Sequence, residues 1–175
     1  MSDSEAGPVP QHAVIVGVIP DQPPRVLKEA ARYAQVFGAP LIVAHVDVTR
    51  FVTYEDPDGY VHSAPIDLDI AVGEAQLASV SAAAASVLDG LGVDWSVRQL
   101  VGDPALAIKQ LAEQSQARLL VVGTRRRGFG ESIREFFTGS VAARLAHRQS
   151  RPVLVVPLEE PAADDEPLWP HDDAG

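Results

Sequence analysis

Cysteine is absent from the 175 residues, which excludes disulfide frameworks, cysteine-rich zinc sites and thiol catalysis. No consecutive apolar run approaches the roughly eighteen residues of a membrane helix, so no membrane partner is expected. The opening stretch from Met1 to Pro8 is acidic and lacks the basic and apolar regions of a secretory leader. Five histidines are scattered without an H-x3-H or H-E-x-x-H spacing, so no metal site is expected. The G-x-S-x-G elbow of hydrolases is missing, and Ser140 has no base beside it in sequence. No catalytic residue emerges from these absences, and the expectation is a protein that is not an enzyme.

What is present is an ordinary globular balance, with 46% hydrophobic and 22% charged residues. A chain of this length builds a core without staples. The net charge of −10 is unevenly spread. Residues 158–175 hold seven acids and neither Lys nor Arg, while the body from 13 to 157 carries a net charge of −1. Half of the basic residues fall between Arg125 and Arg151. An acidic surface repels phosphate backbones, so no nucleic-acid partner is expected. A small anion at the arginine-rich end remains compatible with this distribution.

Ala13–Val18 and Leu41–Val46 are short apolar runs of the kind that form strands covered on both faces. Between them Val26, Leu27, Ala30, Ala31, Ala34 and Phe37 recur at helical spacing, and Gly38 supplies a C-terminal stop. The polar stretch 47–65 contains the turn signal Asp56-Pro57-Asp58-Gly59. For such a length a mobile surface loop is the commoner outcome, with a small hairpin of Phe51–Tyr54 and Tyr60–Ser63 as the alternative. Leu77, Val80, Ala84, Val87, Leu88 and Leu91 then mark a long helix ended by Gly90 and Gly92.

Residues 93–100 alternate as a half-buried strand does. Asp103-Pro104 provides an N-cap and a proline at the first helical position. Strands at 118–123 and 152–157 flank a helix that opens near Gly139-Ser140. Strict alternation of five strands near 13–18, 40–47, 93–100, 118–123 and 152–157 with helices predicts a single-domain α/β fold. It is Rossmann-like, an open parallel five-stranded sheet with helices on both faces. The expected organisation is a flexible N-terminus at 1–12, one domain at 13–157 and a disordered acidic tail at 158–175.

Ligands of open α/β sheets sit beyond the carboxyl ends of the strands, where Gly17–Pro20 and Gly123 should meet. Gly123, Gly128 and Gly130 permit close backbone approach. Gly139, Ser140 and Val141 open a helix whose free N–H groups favour an anion, and together these form a phosphate cradle. Arg125, Arg126 and Arg127 either clamp phosphates or stand in water. His45, on a buried strand, reads as a packed strand-end residue.

Val121-Val-Gly-Thr, Gly139-Ser-Val-Ala and Arg151-Pro-Val-Leu-Val-Val-Pro157 resemble the C-terminal half of the universal stress protein family. Gly102-Asp-Pro-Ala105 and Ala117–Gly123 extend the likeness, and Val14–Val18 and Leu41–Val46 carry it over about 13–157. The resemblance implies a spatial strand order of 3-2-1-4-5 and a cytoplasmic, stress-response regulator without fast catalysis. Its implied cofactor is ATP or ADP, with adenine near Val18, Ile19 and Val43 and phosphates at Gly128, Gly130, Gly139 and Ser140. It also implies a homodimer through the last strand, at Val153, Leu154, Val155 and Val156, an edge strand with no charge to deter pairing. Two departures support an alternative, a dimer of the same fold that has lost ATP and acts through protein contacts. The family's nucleotide-binding members usually carry Asp where this chain has Ile19. Their signature G-x2-G-x9-G-[ST] is stretched here, with Gly123 and Gly139 sixteen positions apart and Arg126 at the second glycine.

Overall fold

The apolar run Val14–Val18 forms β1, and its neighbours on both sides are strands of the same kind. The computed structural model describes residues 7–48, 51–55, 61–65, 70–124 and 141–158. Element order is β1 (Val14–Val18), α1 (Arg25–Phe37), β2 (Leu41–Asp47), β3 (Phe51–Glu55), β4 (Val61–Pro65), α2 (Ile70–Leu88), β5 (Trp95–Val101), α3 (Pro104–Gln114), β6 (Leu119–Gly123), α4 (Val141–Arg148) and β7 (Val153–Val156). The main sheet runs β5-β2-β1-β6-β7, every pair parallel. Numbered among themselves, its five strands have the expected order 3-2-1-4-5, with β1 in the centre.

Alternate residues of each strand feed two cores. Val14, Val16, Leu41, Val43 and Val121 pack under α1 and α2, with Val26, Ala30, Val80, Ala84 and Leu88. Ile15, Ile42, Leu120 and Val122 face the other layer, meeting Ile108 and Leu111 of α3 and Leu145 of α4. Burial on both faces is what allows the strands to be continuously apolar. Strand β5 is only half-buried along its length, as the alternation of residues 93–100 suggested.

Helix ends follow local chemistry. Gly38 takes a left-handed φ of 57° and closes α1 through its N–H to the Ala34 and Gln35 carbonyls. The expected inner stripe of α1 stops one turn early, because Phe37 is exposed and stands against Tyr33 instead, ring centroids 6.3 Å apart. Leu91, expected with the α2 stripe, lies beyond the helix and is also exposed.

The structure bears on three further expectations. The stretch after β2 is not only loop: β3 and β4 pair antiparallel, Thr53 opposite Ser63, forming the hairpin that was the alternative reading. Within the N-terminal segment, residues 7–12 are tied to the body. Arg98 donates to the Gly7 and Pro8 carbonyls, and the His12 N–H donates to the Ser115 carbonyl at 2.7 Å. Val9 packs on the α3–α4 core, and that burial holds the segment down. Finally, Ala71–Leu88 of α2 is long and apolar enough to cross a membrane by length and composition. Its apolar character comes from alanines interleaved with serines rather than from an unbroken aliphatic run, and Val80, Ala84 and Leu88 bury against the sheet. The tail beyond Leu158 lies outside the described residues.

Candidate functional site

The carboxyl ends of β1 and β6 lie side by side, since Gly17 pairs with Val122. Order 3-2-1-4-5 makes this the point where successive connections leave in opposite directions, and the crevice of the sheet opens here. Gly17 and Gly123 serve different layers. A Cβ on Gly17 would come within 3.1 Å of Ile108 Cδ1 on the α3 side. A Cβ on Gly123 would meet Gln22 Nε2 at 2.7 Å, Leu158 Cδ2 at 3.1 Å and Val26 Cγ2 at 3.2 Å on the α1 side. Glycine at 123 is therefore a matter of space, and the space is occupied from within the chain.

The β1–α1 turn explains that occupation. After Val18 the side chain of Ile19 turns to solvent, 65% exposed. Asp21 adopts a left-handed φ of 58°, which returns the chain so that Gln22 faces the strand end. The Gln22 carboxamide oxygen accepts the Ile19 N–H at 2.9 Å. Val18, Ile19, Gln22, Leu27 and Val80 line a cleft of about 80 Å³ between this turn and α2. That is well below the roughly 300–1,000 Å³ of small-molecule pockets. On the β6 side, Thr124 accepts the Leu158 N–H on its hydroxyl at 3.0 Å, which ties the chain after β7 to the end of β6 beside Gly123.

Of the residues expected to hold a ligand, Val18 and Ile19 line this cleft, and Gly123, at the end of the neighbouring strand, meets it through the Gln22 side chain. Val43 does not: it sits mid-strand opposite Val16, with no exposed surface, and backs the site from beneath. Val141 is half-buried at the start of α4. Gly128, Gly130, Gly139, Ser140 and the arginines at 125–127 lie outside the described residues. His45 is buried as expected; its Nδ1 lies 3.3 Å from the Val18 carbonyl, one layer below the crevice, and its Nε2 has no hydrogen-bond partner. Among the described residues no cluster of three or more metal-ligating side chains occurs.

The start of α4 is fixed by a contact that no local pattern announces. Asp103 caps α3, accepting the Leu106 N–H at 2.9 Å. The same carboxylate receives both Arg144 nitrogens, at 2.6 and 2.7 Å, from the first turn of α4. Two helix N-termini at the carboxyl edge are thereby held together. Burial pushes the Asp103 carboxyl up, but the hydrogen bonds from Arg144 and Leu106 and the Arg144 charge outweigh it and leave it below its ordinary value. A depressed carboxylate contributes stability above its unfolded value, about 3.9, and that stability is lost as pH falls through the lower folded value. Asp103→Ala is expected to cost about 1–2 kcal/mol in urea denaturation at neutral pH, with the ion pair discounted because it is partly solvated. Asp103→Asn keeps the cap and should cost less, and the gap between it and wild type should close in acid. A gap that widens on acidification would overturn this assignment.

Comparison with known proteins places this geometry in context. A model of the Universal stress protein family matches residues 12–157. Among solved structures, the chain is similar to a universal stress protein in complex with cAMP, at 27% identity and a TM-score of 0.56, covering 86% of this chain and 99% of that one. It is also similar to a universal stress family protein from Burkholderia pseudomallei, at 24% identity and a TM-score of 0.57, with 83% and 96% covered. A third, the universal stress protein from Archaeoglobus fulgidus in complex with dAMP, shares 23% identity and a TM-score of 0.53, with 85% and 98% covered. No curated protein matches the chain.

Proposed function

The chain belongs to the universal stress protein family, and from that premise we propose that it is an adenine-nucleotide-linked regulator of the stress response. It works in the cytoplasm, as a homodimer and without fast catalysis. One observation carries the reading: the carboxyl ends of β1 and β6 lie side by side at the switch point where such folds take ligands, with Gly123 leaving room there that a side chain would fill. The 27%-identical relative solved with cAMP supports an adenine nucleotide as the ligand class, here ATP or ADP. Val18 and Ile19 would face the base. By the sequence pattern alone, Gly139 and Ser140 just ahead of α4 would offer N–H groups to the phosphates together with Val141, and Gly128 and Gly130 would give the approach.

Native purification followed by extraction and chromatography of bound small molecules tests this directly. Adenine nucleotide should be recovered from wild type and be absent from Gly139→Val, whose β-branched side chain would enter the cradle. Equal recovery from both proteins would remove the site.

A second reading, the same dimer acting through protein contacts without nucleotide, draws on Ile19 standing where an Asp is usual. Both readings use the β7 edge. Strand β7 ends the sheet, and Val155 is 43% exposed on it. A bare apolar edge pairs with another chain unless charge deters it. Leu154 packs on the α1 side of its own protomer's core, so substitution there tests folding as much as assembly. Val155→Lys is the cleaner change. Light scattering should show a dimer for wild type and a shift towards monomer for Val155→Lys, because like charges would face each other across the twofold axis. A monomeric wild type, or an unaffected variant, would place the edge-strand interface in error.

A further inference from the structure

We propose that Gln22 is an internal stopper of the crevice, a side chain that stands where the ligand's base edge would bind and sets the affinity of the site. The inference rests on the nucleotide reading above and names a residue that governs it. Three observations converge. The Gln22 oxygen holds the Ile19 backbone N–H at 2.9 Å, a main-chain donor directly after β1. The Gln22 nitrogen reaches to 2.7 Å from the position a Gly123 Cβ would take, so the amide spans from the β1 end to the β6 end. The cleft left beside it is about 80 Å³.

The chemistry of the amide makes the substitution apt. A carboxamide carries one donor group and one acceptor side by side, as the edges of adenine do, which is why glutamine and adenine pair bidentately. The Gln22 oxygen thus takes from Ile19 the hydrogen bond that a ring nitrogen of adenine would take. The backbone supports this arrangement. Asp21 is held at a left-handed φ and two prolines, Pro23 and Pro24, follow, so the backbone of the turn is fixed where it presents Gln22, while the side chain itself can still swing out. An incoming base must break the Ile19 contact and expel the amide before it can reach Gly123. An affinity reduced by the cost of opening follows.

Calorimetric titration of the full-length protein with ATP, ADP and AMP tests the proposal on wild type, Gln22→Ala and Gln22→Glu. Gln22→Ala should bind about fivefold or more tightly, the effect of removing one competing neutral hydrogen bond. Gln22→Glu retains the acceptor for Ile19 and adds a negative charge, so it should bind no more tightly than wild type. Amide exchange at Ile19 should quicken in Gln22→Ala and stay slow in Gln22→Glu without any nucleotide, and thermal melts confirm that each variant is folded. If wild type binds and Gln22→Ala binds equally or more weakly, the stopper is refuted while the nucleotide reading stands. Binding by Gln22→Ala but not by wild type would support both. Absence of binding by all three proteins would refute the nucleotide reading and the stopper with it.

Discussion

Gly123→Val is expected to abolish adenine-nucleotide binding and to cost the fold about 1–3 kcal/mol, the range for adding bulk to a filled space. The effect is large because the position is crowded from three directions. The first new carbon would already press on Gln22, Leu158 and Val26, at 2.7, 3.1 and 3.2 Å. The Gln22 amide can move aside, being the end of a flexible side chain. Val26 cannot, since it is fully buried on the inner face of α1. The two valine methyls would then project into the crevice. Gly17→Ala is the control: its added carbon meets Ile108 on the opposite layer, so stability falls without a direct effect on the crevice. Titration calorimetry and urea denaturation of both variants separate the two. Undiminished binding by Gly123→Val would show that the ligand lies elsewhere.

Leu120→Ala should be the most damaging single truncation, costing about 2–5 kcal/mol. Leu120 has no exposed surface, lies on β6 between β1 and β7, and packs with Ile15 and Leu145 among others. The layer above it is formed by α3 and α4, held together by the Asp103–Arg144 pair, so the void has rigid walls and closes poorly. Equilibrium denaturation would measure the loss. A change below about 1 kcal/mol, typical of surface positions, would mean that this layer packs loosely.

The architecture was legible because a parallel sheet covered on both faces writes itself as continuous apolar runs, as in Val14–Val18 and Leu119–Val122. Caps were legible where one residue carries the geometry, as Gly38 and Asp103 do. Strand order came from the family resemblance rather than from any run. The hairpin β3–β4 was weakly signalled, since the Asp56–Gly59 turn is strong but its flanks are mixed in polarity. At the site, Gly123 was identified by its place after a buried strand. Gln22 was overlooked: its only mark is a spacing of three from Ile19 in a turn flanked by proline. The Arg144–Asp103 contact joins residues 41 apart in the chain and has no local signature. How deep Val43 lies was not legible either, because periodicity gives a strand's faces but not how far along it the core ends.

The most direct measurement is a calorimetric titration of the full-length wild-type chain with ATP, set beside the same titration with GTP. Saturable binding of one nucleotide per chain, with adenine preferred over guanine, is the predicted result. No saturable heat with ATP from either wild type or Gln22→Ala, or equal binding of GTP, would contradict an adenine-nucleotide site at the β1–β6 crevice.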